Sequence, residues 1–498
     1  MQYLAKSGVI IIMKVHVYWL IALSFWLLAS CSDDDSFTTS TSNQLTFSTD
    51  SVRLDTIFSR VPTATKTFWV YNRSGDGIRC TNIRLQNGNQ TGFRVNVDGV
   101  YLGAAQGYQV NDVEIRDKDS IRVFVELTSP MNMQEKPTFI KDDLIFTLES
   151  GVEQKVNLNA YTWDAELWHD VEIDRDSLIA SEKPIVIYGG LKVDEGATLT
   201  LGAGTTLYFH NDAGIDVYGT LKAEGTSEKN VVLRGDRIDH MFDYLPYDRV
   251  SGQWQGIRFH ASSFDNELDY ADVHSAYNGI VCDSSKVDNL KLTLYNSLIH
   301  NCQGYGLLAT SCVLDVYNTQ ITNTLNDCVA VYGGAAMFRH CTIAQFYPFD
   351  ANRGMALRFA NYRGEDRLPL YQFEVYNTIV TGYADDVIMT DFRDDVEATY
   401  LFDHCLLRTP EVTEATENIK EVIWENPKDT VRCGIKNFRK MDTENLEYDF
   451  RLDGRSFAVD AGSVLLHGYS EYDRKAVRRD DKPDLGAYEW VEEEATKE

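Results

Sequence analysis

Six short phrases recur through the middle of the chain: "DYADVHSA", "LYNSLIHN", "VYNTQITN", "RHCTIAQ", "VYNTIVTG" and "DHCLLRT". Aligned on Ala271, Asn296, Asn318, His340, Asn377 and His404, they advance by 25, 22, 22, 37 and 27 residues. A second column sets Gly279, Gly306, Cys328, Gly354 and Asp386 before Ile280, Leu307, Val329, Met355 and Val387. Two strand phrases per period leave no room for a strand–helix–strand unit, which takes about 30 residues. What remains is a coil of short strands in which each turn stacks on its neighbours. Upstream, Leu191-Lys192-Val193-Asp194-Glu195-Gly196 returns as Leu221-Lys222-Ala223-Glu224-Gly225, thirty residues later, and extends the same pattern.

Stacking dictates which residue types repeat, because parallel coils about 4.8 Å apart set like side chains over like. Asn296, Asn318 and Asn377 are expected to share amide hydrogen bonds along a ladder at one turn. The column after them, Asp272, Ser297, Thr319, Cys341, Thr378 and Cys405, is compact, so its cysteines read as small hydrophobes. The histidines and cysteines of these columns are accordingly read as packed turn residues rather than metal ligands. Trp254, in "GQWQGIRF", reads as a core aromatic in preference to a sugar-stacking platform.

This pattern resembles the right-handed parallel β-helix of the pectin-lyase-like superfamily, over about Leu178 to Trp490, and places such a domain at 166–490. The phrases "YDFRLDGRSFAVDAGS" and "KPDLGAYEW" resemble the terminal segment of many bacterial surface β-helix proteins. The last coil of such a stack exposes an unpaired edge. Residues 454–490 are expected to cap it, with Asp460, Asp484 and Glu489 in structural roles, before an acidic tail at 491–498. Ahead of the coils, alternating runs at 66–72, 92–97, 120–127, 143–149 and 152–159 are broken by Gly, Asn and Asp turns, which predicts an antiparallel sandwich of seven to nine strands over 45–165. Its run "FWVYNRSGDGIRCTNIRL" resembles the immunoglobulin-like modules of bacterial surface proteins, which implies a spacer. The fold expected is all-β throughout.

The N-terminal run "MKVHVYWLIALSFWLLASC" has one lysine, then an apolar stretch from Val15 to Leu28. Fourteen helical residues span roughly 21 Å, short of the roughly 30 Å hydrocarbon core, so residues 1–30 read as a signal peptide. Leu28-Ala29-Ser30-Cys31 resembles the lipobox of bacterial lipoproteins, which implies lipidation at Cys31 and a tether over 31–44. Asp33, Asp34 and Asp35 resemble the acidic signal that exports some lipoproteins to the outer face of the outer membrane. The membrane, reached through the lipid, is thus the first expected partner. Net charge of -28, from 75 acidic and 47 basic side chains, excludes nucleic acid as another. It suits contact with divalent cations such as Ca2+, and no other cofactor is implied. The eight cysteines after Cys31 form no C-x-x-C pair, which argues against structural zinc.

Chemistry leaves fainter marks. A glycoside hydrolase needs two carboxylates roughly 5 to 9.5 Å apart. The stretch "YADDVIMTDFRDDVEA" offers Asp385, Asp386, Asp391, Asp394 and Asp395 around Arg393. Polygalacturonases, similar in the expected fold, share a double aspartate, but their Gly-His-Gly and Arg-Ile-Lys signatures are missing from this sequence. A lyase needs a base beside a uronate whose carboxylate is neutralised by a cation. Arg353, Arg358, Arg363 and Arg367 cluster in "FDANRGMALRFANYRGEDR", and Arg353, Arg358, Arg363 and Arg393 are the candidate ligand-binding cations. The expected function is recognition of a polysaccharide or another surface without catalysis. Two alternatives stay open: a polysaccharide lyase or hydrolase working in the 350–395 region, and adhesion to a protein partner.

Overall fold

A computed structural model describes residues 36–414 and 416–492. Cys31, Asp33, Asp34 and Asp35, with the signal peptide and most of the acidic tail, lie outside the described residues. The chain divides into two compact units, the first ending near Tyr161 and the second running from Thr162 onward, with Asp55–Ser59 and Met131–Thr138 also grouped in the second. Among the described residues there is no α-helix, and no helix is long and apolar enough to cross a membrane.

The first unit holds two five-stranded sheets. One runs antiparallel throughout, in the order Leu45–Phe47, Lys66–Asn72, Ser120–Leu127, Phe93–Val97, Val100–Tyr101. The other orders Ser51–Phe58, Glu153–Trp163, Thr138–Leu148, Ile78–Leu85 and Gln109–Ile115. Alternation decides the inward faces: Phe68, Val70, Val123 and Val125 are buried in the first sheet, Ile83, Phe146, Leu148 and Val156 in the second. Phe47 and Phe146, one from each sheet, meet with ring centroids 5.1 Å apart. Ten strands stand where seven to nine are expected. The surplus is explained by pieces such as Val100–Tyr101, two residues with no apolar alternation to announce them.

The second unit is dominated by a 26-stranded sheet whose ladders are parallel, an arrangement consistent with a parallel β-helix. Counted within the sheet, each strand pairs with the one two or three further on, so each turn of backbone lies on the one before. Along one wall Val232, Asp272, Leu298, Gln320, Thr342, Ile379 and Leu406 form a single column. The side chains between them, Leu233, Val273, Ile299, Ile321, Ile343, Val380 and Leu407, point inward and fill the apolar core.

Register corrects three of the sequence alignments. The first member of the turn column is Tyr270, not Ala271, because Asp272 pairs with Leu298. Tyr270, Asn296, Asn318, His340, Asn377 and His404 all adopt left-handed backbone, with φ between 46° and 51°. Asn and His are read easily at such a turn, whereas a tyrosine there is rare and hides the equivalence. In the second column the residues before Leu357 and Ile388 are Ala356 and Val387, not Gly354 and Asp386. Finally, the thirty-residue echo is not a stacking register: Leu191 lies on Ile215, and Leu199 lies on Leu221. Any apolar–polar–apolar triplet satisfies a parallel ladder, so resemblance of phrases does not fix their partners.

The ladder itself forms in part as expected. Asn318 Nδ2 donates to Asn296 Oδ1 at 3.2 Å, and Asn377 Nδ2 lies 3.1 Å from His340 Nε2. In the next column Ser297 Oγ donates to Leu268 O, and the thiols of Cys341 and Cys405 point in the same way at Val316 O and Val375 O. Burial pushes both thiols up to about 12, so they stand as protonated packing groups. Trp254 is fully buried, stacked on Phe209 at 4.4 Å and donating to His274 O at 2.8 Å.

Candidate functional site

The closing segment sets the geometry of the site. It runs back along the flank of the coils: Gly486 N donates to Asn377 O, Ala487 N to Thr342 Oγ1, and Tyr488 Oη to Gln320 Oε1. A second apolar core forms underneath, where Ala344, Ile379 and Leu406 of the wall meet Phe438, Phe450, Leu485 and Ala487. The acids in this segment pin it. Asp484 Oδ1 accepts from Asp460 N at 2.8 Å, and Glu489 pairs at 2.8 Å with Arg479, which is completely buried. Arg479 also donates to Asn318 Oδ1 and Gly486 O, tying the segment to the asparagine ladder.

Where this cover gives out, a cavity of about 440 Å3 opens beside the wall. His300, Tyr448 and four cations, Arg249, Arg451, Arg474 and Lys475, line it, against two carboxylates, Glu447 and Asp449. Asp449 is bound through both oxygens to Arg451 within the cavity, and Glu447 pairs at 2.7 Å with Lys440 outside it, so Arg249, Arg474 and Lys475 are the cations these two acids do not engage. Burial, then Arg474 and Arg451, lower the Lys475 ammonium below its ordinary value, as expected where positive charges crowd.

Behind His300 lies a compact polar cluster on adjacent strands, Ala271–His274 and Leu298–Cys302. Parallel register places His274 on His300, with rings stacked at 4.8 Å and 20°. Asp272 Oδ1 sits 2.9 Å from His274 Nδ1 and 3.1 Å from His300 Nε2. Asp248 Oδ1 meets His274 Nε2 at 3.2 Å and is ion-paired to Arg234. Burial alone would push the His274 imidazole down, but Asp272 and Asp248 outweigh it and raise it to about 9. Burial would likewise raise Asp272, and the two histidines instead hold it well below the carboxylate range.

The residues singled out from sequence are dispersed. Asp385 is largely exposed, 3.8 Å from Arg408, and Asp386 caps its own turn by accepting from Ile388 N. Asp395 pairs with Arg367 at 2.5 Å, Asp391 accepts from Tyr362 Oη, and Asp394 is exposed. Arg358 is held by Asp327 at 2.6 Å, Arg353 lies over the Tyr383 ring, and Arg393 donates to Gly364 O. Arg363 lines a groove of about 480 Å3, whose Arg258, Asp216 and Asp283 leave it balanced in charge. The cluster that does converge lies outside these candidates: "DYADVHSA" and "LYNSLIHN" each carry a histidine, one place out of step in the alignment on Ala271 and Asn296, and only the register that sets Tyr270 opposite Asn296 brings His274 onto His300.

No family model matches the chain, and no curated protein matches it. Among solved structures, a family 123 glycoside hydrolase from Clostridium perfringens, described for glycolipid glycan hydrolysis, is similar over 25% of this chain and 30% of that chain. Identity is 7% and the TM-score 0.18, a likeness that carries no argument about fold or function.

Proposed function

We propose that this chain is a lipid-anchored protein of the outer membrane, facing the exterior, that binds an acidic glycan without cleaving it. In this reading Cys31 carries the lipid and Asp33, Asp34 and Asp35 direct export. The first unit is an immunoglobulin-like spacer, and the second is a right-handed parallel β-helix of the pectin-lyase-like kind. The observation that carries the reading is the cavity beside His300, where Arg249, Arg451, Arg474 and Lys475 gather on a chain of net charge -28. Cations concentrated against the overall charge favour a carboxylate or sulfate ligand. Amide, hydroxyl and aromatic groups from Asn301, Asn323 and Tyr448 line the same space and suit a sugar ring.

Full-length protein in detergent, titrated with oligogalacturonate, a sulfated oligosaccharide and a neutral oligosaccharide, tests this. Acidic ligands should bind and remain intact, and Lys475→Ala or Arg249→Ala should weaken binding about tenfold or more, the worth of one charge-assisted contact. Equal binding of neutral and acidic sugars would overturn the reading. Protease added to intact cells should remove the coils, and their persistence would refute surface display. A lyase is the second reading, favoured by one observation: an imidazole, His300, faces the same cavity as the cations, as proton abstraction beside a uronate requires. New unsaturated ends that vanish in His300→Ala would replace binding with catalysis.

A further inference from the structure

We propose that Asp272, His274 and His300 form a binding site for a divalent transition-metal ion of the zinc class. The three donor atoms lie within 4.8 Å of one another, and two of the separations are 2.9 and 3.1 Å. Ligands around tetrahedral zinc stand about 3.3 Å apart when each bond is about 2.0 to 2.1 Å. The two contacts of Asp272 therefore need only a small outward movement to admit an ion, and the two ring nitrogens already lie within 4.8 Å of each other. Asp272 Oδ1 is shared by both rings, and an ion would take the place of the hydrogens between them.

The wall builds this arrangement. Outward residues of the two stacked strands face one way, so a histidine on each coil and an aspartate two residues before the first converge without any loop. Asp248 supplies the element that metal-bound histidines characteristically have: a carboxylate on the far ring nitrogen, at 3.2 Å from His274 Nε2. That bond presents Nδ1 to the ion. Arg234 holds the carboxylate in turn, and Ser275 Oγ anchors the Asp248 backbone at 2.9 Å.

Donor chemistry selects the ion. Two imidazoles and one carboxylate suit Zn2+, or Co2+ and Fe2+ in the same geometry, whereas Ca2+ takes six to eight oxygen ligands. The Ca2+ expected from overall acidity is thus not the ion this cluster fits. His300 also lines the cavity of about 440 Å3, which gives an entry path and leaves a coordination position open to water or to a ligand carboxylate.

The test uses full-length protein in detergent, stripped with EDTA and dialysed. Zn2+ is titrated by calorimetry and Co2+ by visible absorption, with no glycan present, so the outcome is independent of sugar binding. One equivalent should bind, and Co2+ should give the intense bands of a four- or five-coordinate site. His300→Ala, at a half-buried position, should lose that equivalent, while His210→Ala, a histidine elsewhere on the coils, should keep it. Asp248→Asn should bind about 10- to 100-fold more weakly, because it unseats the imidazole without removing a ligand. Binding that survives His300→Ala, or uptake of Ca2+ in preference to Zn2+, would overturn the proposal.

Discussion

One wall of the coil stack differs between its two halves. At Val231–Gly235 the residues alternate, with Leu233 buried and Val232 and Arg234 partly open. At Gln320–Thr324, Thr342–Gln345 and Ile379–Gly382 every residue is buried. The backbone is the same parallel ladder in both halves, so the difference lies outside the coil: the closing segment covers the second half. Followed along the wall, the outward column changes from Val232 and Asp272 through Gln320 to Ile379 and Leu406. The polar cluster and the cavity sit where that change happens. A site placed at such a boundary draws one side from rigid coils and the other from the segment laid over them.

The sharpest way to break this comparison is to put one charge on each half. Ile379→Asp buries a carboxylate with no partner and should cost about 4 kcal/mol or more, whereas Val232→Asp, in the same column, should cost about 0.5 kcal/mol or less. Urea denaturation of the two variants measures both. Similar losses would mean that cover does not distinguish the halves. Next in size is Arg479→Met, which leaves Glu489 buried without its cation and should cost about 3–5 kcal/mol. The closing segment should then be cut first in limited proteolysis. Asn318→Ala should cost about 1–3 kcal/mol, because its amide joins Asn296, Tyr472 O and Arg479 across the boundary.

The same contrast explains what was legible in the sequence. Strand phrases and the turn column were readable because stacking repeats residue types, and Asn318 and Asn377 stand in the register they suggest. Tyr270 is not legible as a turn residue, because a left-handed tyrosine does not look like its asparagine equivalents. The cover is not legible, because residues 454–490 read as an end cap and nothing local says which face a segment lies upon. One signal is present: "TIA" and "TIVTG" are compact or apolar at successive positions, the mark of a strand buried on both faces. The candidate acids at 385–395 are dense in sequence but disperse in the fold. Convergence needs register, and register brought Asp272, His274 and His300 together instead.

Hold on the cover should also depend on pH, through Asp484. Its carboxyl is buried beside Glu489, and burial raises it from 3.8 to about 7 despite the N–H donors of Trp490 and Asp460. A carboxyl raised on folding binds its proton more tightly in the folded protein. The stability it contributes is therefore complete below pH 3.8, falls as pH rises, and is gone above about 7. Hydrogen exchange of the Gly486 and Ala487 amides, which donate to Asn377 O and Thr342 Oγ1, reports docking of the segment directly. After correction for intrinsic exchange, their protection should decline between pH 5 and 7.5. Protection at Leu233, in the uncovered half, should not follow it. Asp484→Asn removes the titrating group and should abolish the slope, although one backbone donor then loses its acceptor and protection is lower at every pH. A slope that persists in Asp484→Asn would assign the pH dependence to another group, and a slope shared by Leu233 would mean that the coils and their cover open as one.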